Sequence, residues 1–195
     1  MRQRPNVLLG MLMALAVAAP LSAAAQSGAQ TSDLSVEERL QRVEDELAIQ
    51  RVLVDYSATQ DARDYDSYVA LFAEDGEWVN GETVYKGREA IRAMLVGLYG
   101  ETPPGYVNAE SLHIVSNPQI ELYGDRATAR SRHLLVMRGA EGEPTPMLAG
   151  VYEDEFIRER GEWKILRRVD TPVMPTREEW LVFVRARQAA AGASE

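Results

Sequence analysis

Leu40, Val43, Leu47, Val52 (or Leu53) and Tyr56 recur at helical spacing, which predicts an amphipathic helix over Val36 to Thr59. Ser35 followed by Glu38 forms a capping-box pattern at its start, and Gln60 and Asp61 stand at its far end. Tyr68, Leu71 and Phe72 suggest a short second helix over Asp66 to Ala73, after which Asp75-Gly76 reads as a turn. Asn80-Gly81 between Glu77-Trp78-Val79 and Thr83-Val84-Tyr85 predicts a hairpin. Ile91, Met94, Leu95 and Leu98 predict a third helix over Glu89 to Tyr99, and Pro103-Pro104-Gly105 a loop from Gly100 to Asn108. From Ser111 onward the period becomes two. Strands are expected at Ser111 to Val115, Gln119 to Leu122, Arg126 to Arg138, Met147 to Arg158 and Trp163 to Val173, and a terminal helix at Glu178 to Arg187. Helices followed by an antiparallel meander indicate an α+β fold with helices on one face of a curved sheet.

The first residues follow a different logic. Arg2 and Arg4 precede the apolar run Val7 to Ala19, and Ala23-Ala24-Ala25 supplies an A-x-A cleavage pattern. The run is shorter than the roughly 20 residues that a bilayer span requires. A cleaved signal peptide over 1–25 is therefore expected, followed by a disordered leader over 26–33, an α+β domain over 34–173 and a helical tail over 174–195. The expected location is the periplasm or the outside medium. No cysteine is present, which excludes disulfides and thiolate metal sites. The formal net charge is −9, and removal of Arg2 and Arg4 makes it more negative, which argues against nucleic acid and anionic membrane surfaces. A small molecule, or a second subunit in a homodimer or homotrimer, is the expected partner.

Only two histidines are available, His113 and His133, and both fall in expected strands. His133 shares its face with Ala127, Ala129 and Ser131, a small-residue face suited to the concave side of a sheet. Imidazole accepts a proton near neutral pH, and a carboxylate beside it fixes its tautomer, for which Asp61 is the natural candidate. A packed, hydrogen-bonded core histidine is the competing reading. Neither histidine has a partner at metal-ligand spacing, so no metal is expected. Tyr56 fits either the core or a pocket donor, and Trp78 and Trp163 fit the core. Arg168 fits a solvated strand or an anion contact, and Glu153-Asp154-Glu155 fits a solvent face.

The stretches Ala48 to Trp78, Thr83 to Ile91, Ser111 to Leu122 and Gly150 to Arg168 resemble the SnoaL-like branch of the nuclear transport factor 2-like superfamily. The resemblance implies a cone-shaped α+β barrel, three helices packed in a strongly curved, mainly antiparallel sheet around an apolar pocket. Through likeness to dehydratase and dehydrochlorinase members, it implies a catalytic dyad of His113 and Asp61. It also implies substrate contacts from Tyr56, His133, Arg168 and Asn117. The dehydrochlorinase pattern has a lysine where this chain has Tyr56, which favours dehydration or isomerisation over dehalogenation. The implied activity is that of a cofactor-independent lyase or isomerase acting by general-base proton abstraction on a small, largely apolar substrate, a cyclic one included. The alternative is a non-catalytic periplasmic ligand-binding or assembly module of the same fold.

Overall fold

The structure, a computed structural model, describes residues 34–192, so the expected signal peptide and leader lie outside the described residues. The chain separates into two units, Met1–Arg39 and Leu40–Glu195, and the packing described below is that of the second. Helix α1 spans Val36–Ala62. The Glu38 amide donates to Ser35 Oγ at 3.2 Å while the Ser35 amide donates to the Glu38 carboxylate at 2.8 Å, so the capping box is formed. Helix α2 (Tyr65–Ala70) is capped by Asp64, whose carboxylate accepts from the Ser67 amide at 3.1 Å. The antiparallel hairpin β1 (Phe72–Asn80) and β2 (Thr83–Lys86) follows, then helix α3 (Arg88–Tyr99). Strands β3 (Ser111–Tyr123), β4 (Arg126–Arg138), β5 (Pro144–Glu159) and β6 (Glu162–Met174) form an antiparallel meander, and helix α4 (Arg177–Gly192) ends the described chain.

The six strands lie in the order β2-β1-β6-β5-β4-β3, with β1 parallel to β6 and every other pair antiparallel. The fold is the expected α+β class. The sheet is nevertheless open, with β2 and β3 as its edges, where a closed barrel would have none. Ile49, Leu53 and Tyr56 of α1, Tyr68 of α2, and Ile91 and Leu95 of α3 pack with Phe72, Ala127, Ala129, Phe156 and Ile165 in a single core.

Three local expectations are corrected. Asp75-Gly76 does not turn the chain. It lies in a bulge of β1, where a Cβ on Gly76 would stand 2.9 Å from the Ile165 carbonyl, so the glycine permits close strand approach. Asn117-Pro118 does not separate two strands either. β3 runs through it with a bulge between Ser116 and Gln119, and Asn117 there has a φ of 53°, a conformation that asparagine tolerates. The third correction concerns α1. Its buried residues are Asp45, Ile49, Val52, Leu53 and Tyr56, whereas Leu40, Val43 and Leu47 face outward. Two apolar stripes lie on opposite sides of this helix, and helical spacing alone merges them.

Asp45 clamps α1 to the sheet. Its buried carboxylate accepts from Trp163 Nε1 at 3.1 Å and pairs with Arg158 at 2.7 Å, while the Arg158 guanidinium lies 4.5 Å from the Trp163 ring centre. Burial pushes the Asp45 pKa up, but the hydrogen bonds from Arg158, Trp163 and Gln41 together hold it below the ordinary carboxylate value. A depressed folded-state pKa gives stability that is complete above the unfolded pKa, about 4, and is lost as the pH falls through the lower folded value. Wild-type protein is therefore expected to lose stability on acidification by a margin that Asp45→Asn lacks. Urea denaturation at about pH 7 and again below about pH 3 checks this; equal slopes in the two proteins would refute it.

Candidate active site

Asp61 occupies the last turn of α1, and the chain beyond it is firmly held. Arg63 adopts a left-handed φ of 54° that closes the helix. Its guanidinium donates to the Tyr99 carbonyl at 2.8 Å and to the Tyr106 hydroxyl at 2.9 Å, and its own carbonyl accepts from Thr102 Oγ1 at 2.8 Å. These contacts offset the strain of a non-glycine residue in that conformation and fix the direction in which Asp61 points.

His113 is on β3. Because β3 is an edge strand, alternate backbone N–H groups are not taken up by a neighbouring strand. The His113 amide donates to Asp61 Oδ2 at 2.9 Å, and its ring Nδ1 lies 2.7 Å from Oδ1. The carboxylate thus grips one residue at two points. An ionised carboxylate can only accept, so Nδ1 is the donor and Nε2 holds the lone pair of the neutral ring. No protein group hydrogen-bonds Nε2 among the described residues. The pair is sheltered but reachable, with 9% of the His113 side chain and 24% of the Asp61 side chain exposed.

His113 stands opposite Leu135 and Val115 opposite His133 in the β3–β4 register, so the two imidazoles are diagonal neighbours on one sheet face. Such neighbours are roughly 7–8 Å apart. The ring of His133 stacks on Tyr152, with 4.1 Å between centres, and its Nε2 comes within 2.9 Å of Asp170 Oδ1 without the alignment of a hydrogen bond. It reaches Asp170 across Gly150, its partner on β5, where a Cβ would lie 2.3 Å from Nε2 and 2.7 Å from the Thr171 carbonyl. Gly150→Ala is expected to displace His133 and to cost about 1–3 kcal/mol through overpacking. Thermal melting checks this, and an unchanged midpoint would mean that the ring has room to move.

Arg168 and Tyr56, which the resemblance implies as substrate contacts, are both buried in the structure. Arg168 is fully buried and forms a two-point ion pair with Asp154, at 2.7 and 2.8 Å. Asp154 thus balances its charge through Nε and Nη2, while Nη1 has no hydrogen-bond partner in the protein. Burial works against the charged guanidinium, but the Asp154 carboxylate outweighs it and holds the Arg168 pKa above its ordinary value. Asp154 also corrects the reading of 153–155 as a solvent face. Strand alternation turns Asp154 inward with Tyr152 and Phe156, while Glu153 and Glu155 stay outside. Tyr56 is a buried core residue whose ring lies 3.8 Å from the Arg168 guanidinium and 4.7 Å from the Tyr68 ring. Its hydroxyl accepts from Trp78 Nε1 at 3.0 Å. Asn117 stands exposed on its bulge.

The inward surface around these groups is polar and incompletely satisfied. Ser131 Oγ, both His133 ring nitrogens, Asp170 Oδ1 and Arg168 Nη1 from the sheet, with Ser57 Oγ and Gln60 Oε1 from α1, are buried without a hydrogen-bond partner in the protein. Each such atom costs about 1–3 kcal/mol unless a guest or water satisfies it. Asp170 was not singled out from the sequence, Asp154 was read as facing solvent, and Ser131 was placed on the face of His133 without a role. The available signal was strand alternation, since each shares a face with a recognisable inward residue. Two surface hollows, of about 170 and 410 Å³, lie elsewhere. Arg63, Asp66 and Arg92 line the first, and Thr128, Glu153 and Arg167 the second; neither touches His113 or Asp61.

Comparison with known proteins places these observations in context. Residues 41–169 match the family profile described as a SnoaL-like domain. An uncharacterized protein of Mycobacterium tuberculosis is 32% identical over 133 residues, covering 66% of this chain and 86% of its own length. The gamma-hexachlorocyclohexane dehydrochlorinase of Sphingobium indicum is 26% identical over 131 residues, covering 66% of this chain and 81% of that protein. Among solved structures, a putative scytalone dehydratase of Novosphingobium aromaticivorans is 29% identical with a TM-score of 0.57, covering 68% of this chain and 86% of the other.

Proposed function

This chain belongs to the SnoaL-like family, and from that premise we propose that it is a cofactor-independent lyase or isomerase with His113 as its general base. The observation that carries the reading is the 2.7 Å contact between His113 Nδ1 and Asp61 Oδ1, which leaves Nε2 as the basic nitrogen. Nε2 removes a proton from a carbon beside an electron-withdrawing group, and Asp61 stabilises the resulting imidazolium. In a dehydration, the C–H electron pair forms the new double bond as the C–O bond breaks. The departing hydroxyl takes a proton from His133, and water leaves. In an isomerisation, the same proton returns to a different carbon. Arg168 and Asp154 act from behind, as a rigid base under Tyr56 and Tyr152. The names of the dehydrochlorinase and the putative dehydratase both denote eliminations, in keeping with this chemistry.

The test uses the full chain in deuterated water with a panel of small cyclic ketones and β-hydroxyketones, followed by proton NMR. Loss of α-proton signal or formation of the unsaturated product, absent with His113→Ala, is the expected result. Saturable binding without exchange or elimination for any panel member would replace the enzyme with a ligand-binding module. The amino-terminal pattern around Arg2, Arg4 and Ala23-Ala24-Ala25 supports export of this activity. Recovery of the chain from the cytoplasm with residues 1–25 intact would overturn that part.

A further inference from the structure

Helix α1 turns an apolar stripe to solvent. Leu40, Val43, Leu47 and Val54 are 56%, 53%, 58% and 59% exposed, although each is a large aliphatic residue. At 100° per residue the four fall within roughly a 60° arc, and the buried face of Asp45, Ile49, Val52, Leu53 and Tyr56 lies on the opposite side. A lone surface leucine needs no explanation, but four on one face, interrupted at Gln50, mark an interaction surface. Their spacing of three, four and seven residues is that of a helix-pairing seam.

We infer that this stripe pairs with the same stripe of a second copy of the chain, with the two α1 helices antiparallel and a twofold axis passing at Leu47. Leu40 and Val54 each lie seven residues from Leu47, so such an axis sets Leu40 of one copy against Val54 of the other and Leu47 against itself. The flanking charges choose the direction. Glu44 and Arg51 are both exposed and lie on the same side of the stripe. Antiparallel pairing brings like flanks together and puts Glu44 of one copy within one residue of level with Arg51 of the other. The same arrangement sets the two Glu46 side chains on one flank, whereas parallel pairing would oppose Glu44 with Glu46 twice and lose both Glu44–Arg51 pairs. The paired helix is the one that ends in Asp61, so association would stiffen the element that holds the carboxylate.

The absence of cysteine permits a direct test with the full chain. Leu47→Cys is expected to form a disulfide-linked dimer under mild oxidation. Leu40→Cys alone should not, since its copies would be about 21 Å apart along the axis, but a mixture of Leu40→Cys with Val54→Cys should give the mixed dimer. In sedimentation velocity, Leu47→Glu is expected to be monomeric at concentrations where wild type is dimeric, with the same thermal midpoint as wild type once both are dilute enough to be monomeric, because residue 47 lies outside the core. Self-linking by Leu40→Cys and Val54→Cys, a wild-type monomer at high concentration, or a Leu47→Glu protein that stays dimeric through its sheet face would each overturn the inference.

Discussion

His113→Ala is expected to lower turnover by about 10²- to 10⁴-fold, the usual contribution of a positioned general base, while leaving the fold in place. The fold survives because Asp61 still accepts the backbone N–H at residue 113, a bond that owes nothing to the ring. Asp61→Asn separates the two duties of the carboxylate. Its amide oxygen can keep the backbone contact, while its NH2 group meets Nδ1 as a donor and forces the proton onto Nε2. The ring then stands in the correct place in the wrong tautomer, and turnover is expected to fall nearly as far as in the alanine variant. Steady-state kinetics together with histidine ¹⁵N shifts would distinguish this from simple misfolding. Activity within about twofold of wild type in His113→Ala would remove the dyad from the mechanism.

Asp154→Ala is expected to be the most destabilising single substitution described here. It would strand the fully buried Arg168 guanidinium with no counter-charge, at a cost of about 3–5 kcal/mol. For a chain of this size that corresponds to a fall of roughly 10 °C or more in melting temperature. The double replacement Asp154→Leu with Arg168→Met should recover most of the loss, because removing both charges also removes their desolvation cost. A double variant as unstable as Asp154→Ala would show instead that Arg168 matters through its stacking on Tyr56 and Tyr152, where it lies 3.8 and 4.3 Å from the ring centres.

The sequence was most informative where one physical signal acted alone. Arg126 to Arg138 matches β4 end to end, because clean alternation and turn residues at both ends leave a single register. On the residues alone Asp61 was only a candidate partner for a histidine, and resemblance singled out His113, since a strand histidine and a helix-end aspartate 52 positions apart carry no local sign of contact. Arg168 shows why other positions were not. A strand arginine reads as solvated until its carboxylate is found on the neighbouring strand, and cross-strand pairing depends on register that no local pattern encodes. The bulges at Gly76 and Asn117 misled for a related reason, because turn-forming residues serve equally well to kink a strand that continues.

The grip of Asp61 on the rim of the sheet has a meaning apart from chemistry. A bare strand margin offers its amides to any passing polypeptide and so invites runaway stacking between molecules. By occupying the His113 amide, the carboxylate denies such a visitor one rung of the ladder. Under the proposed mechanism, turnover and resistance to clumping therefore rest on the same oxygen atoms, and removing the carboxylate outright, as in Asp61→Ala, would cost both.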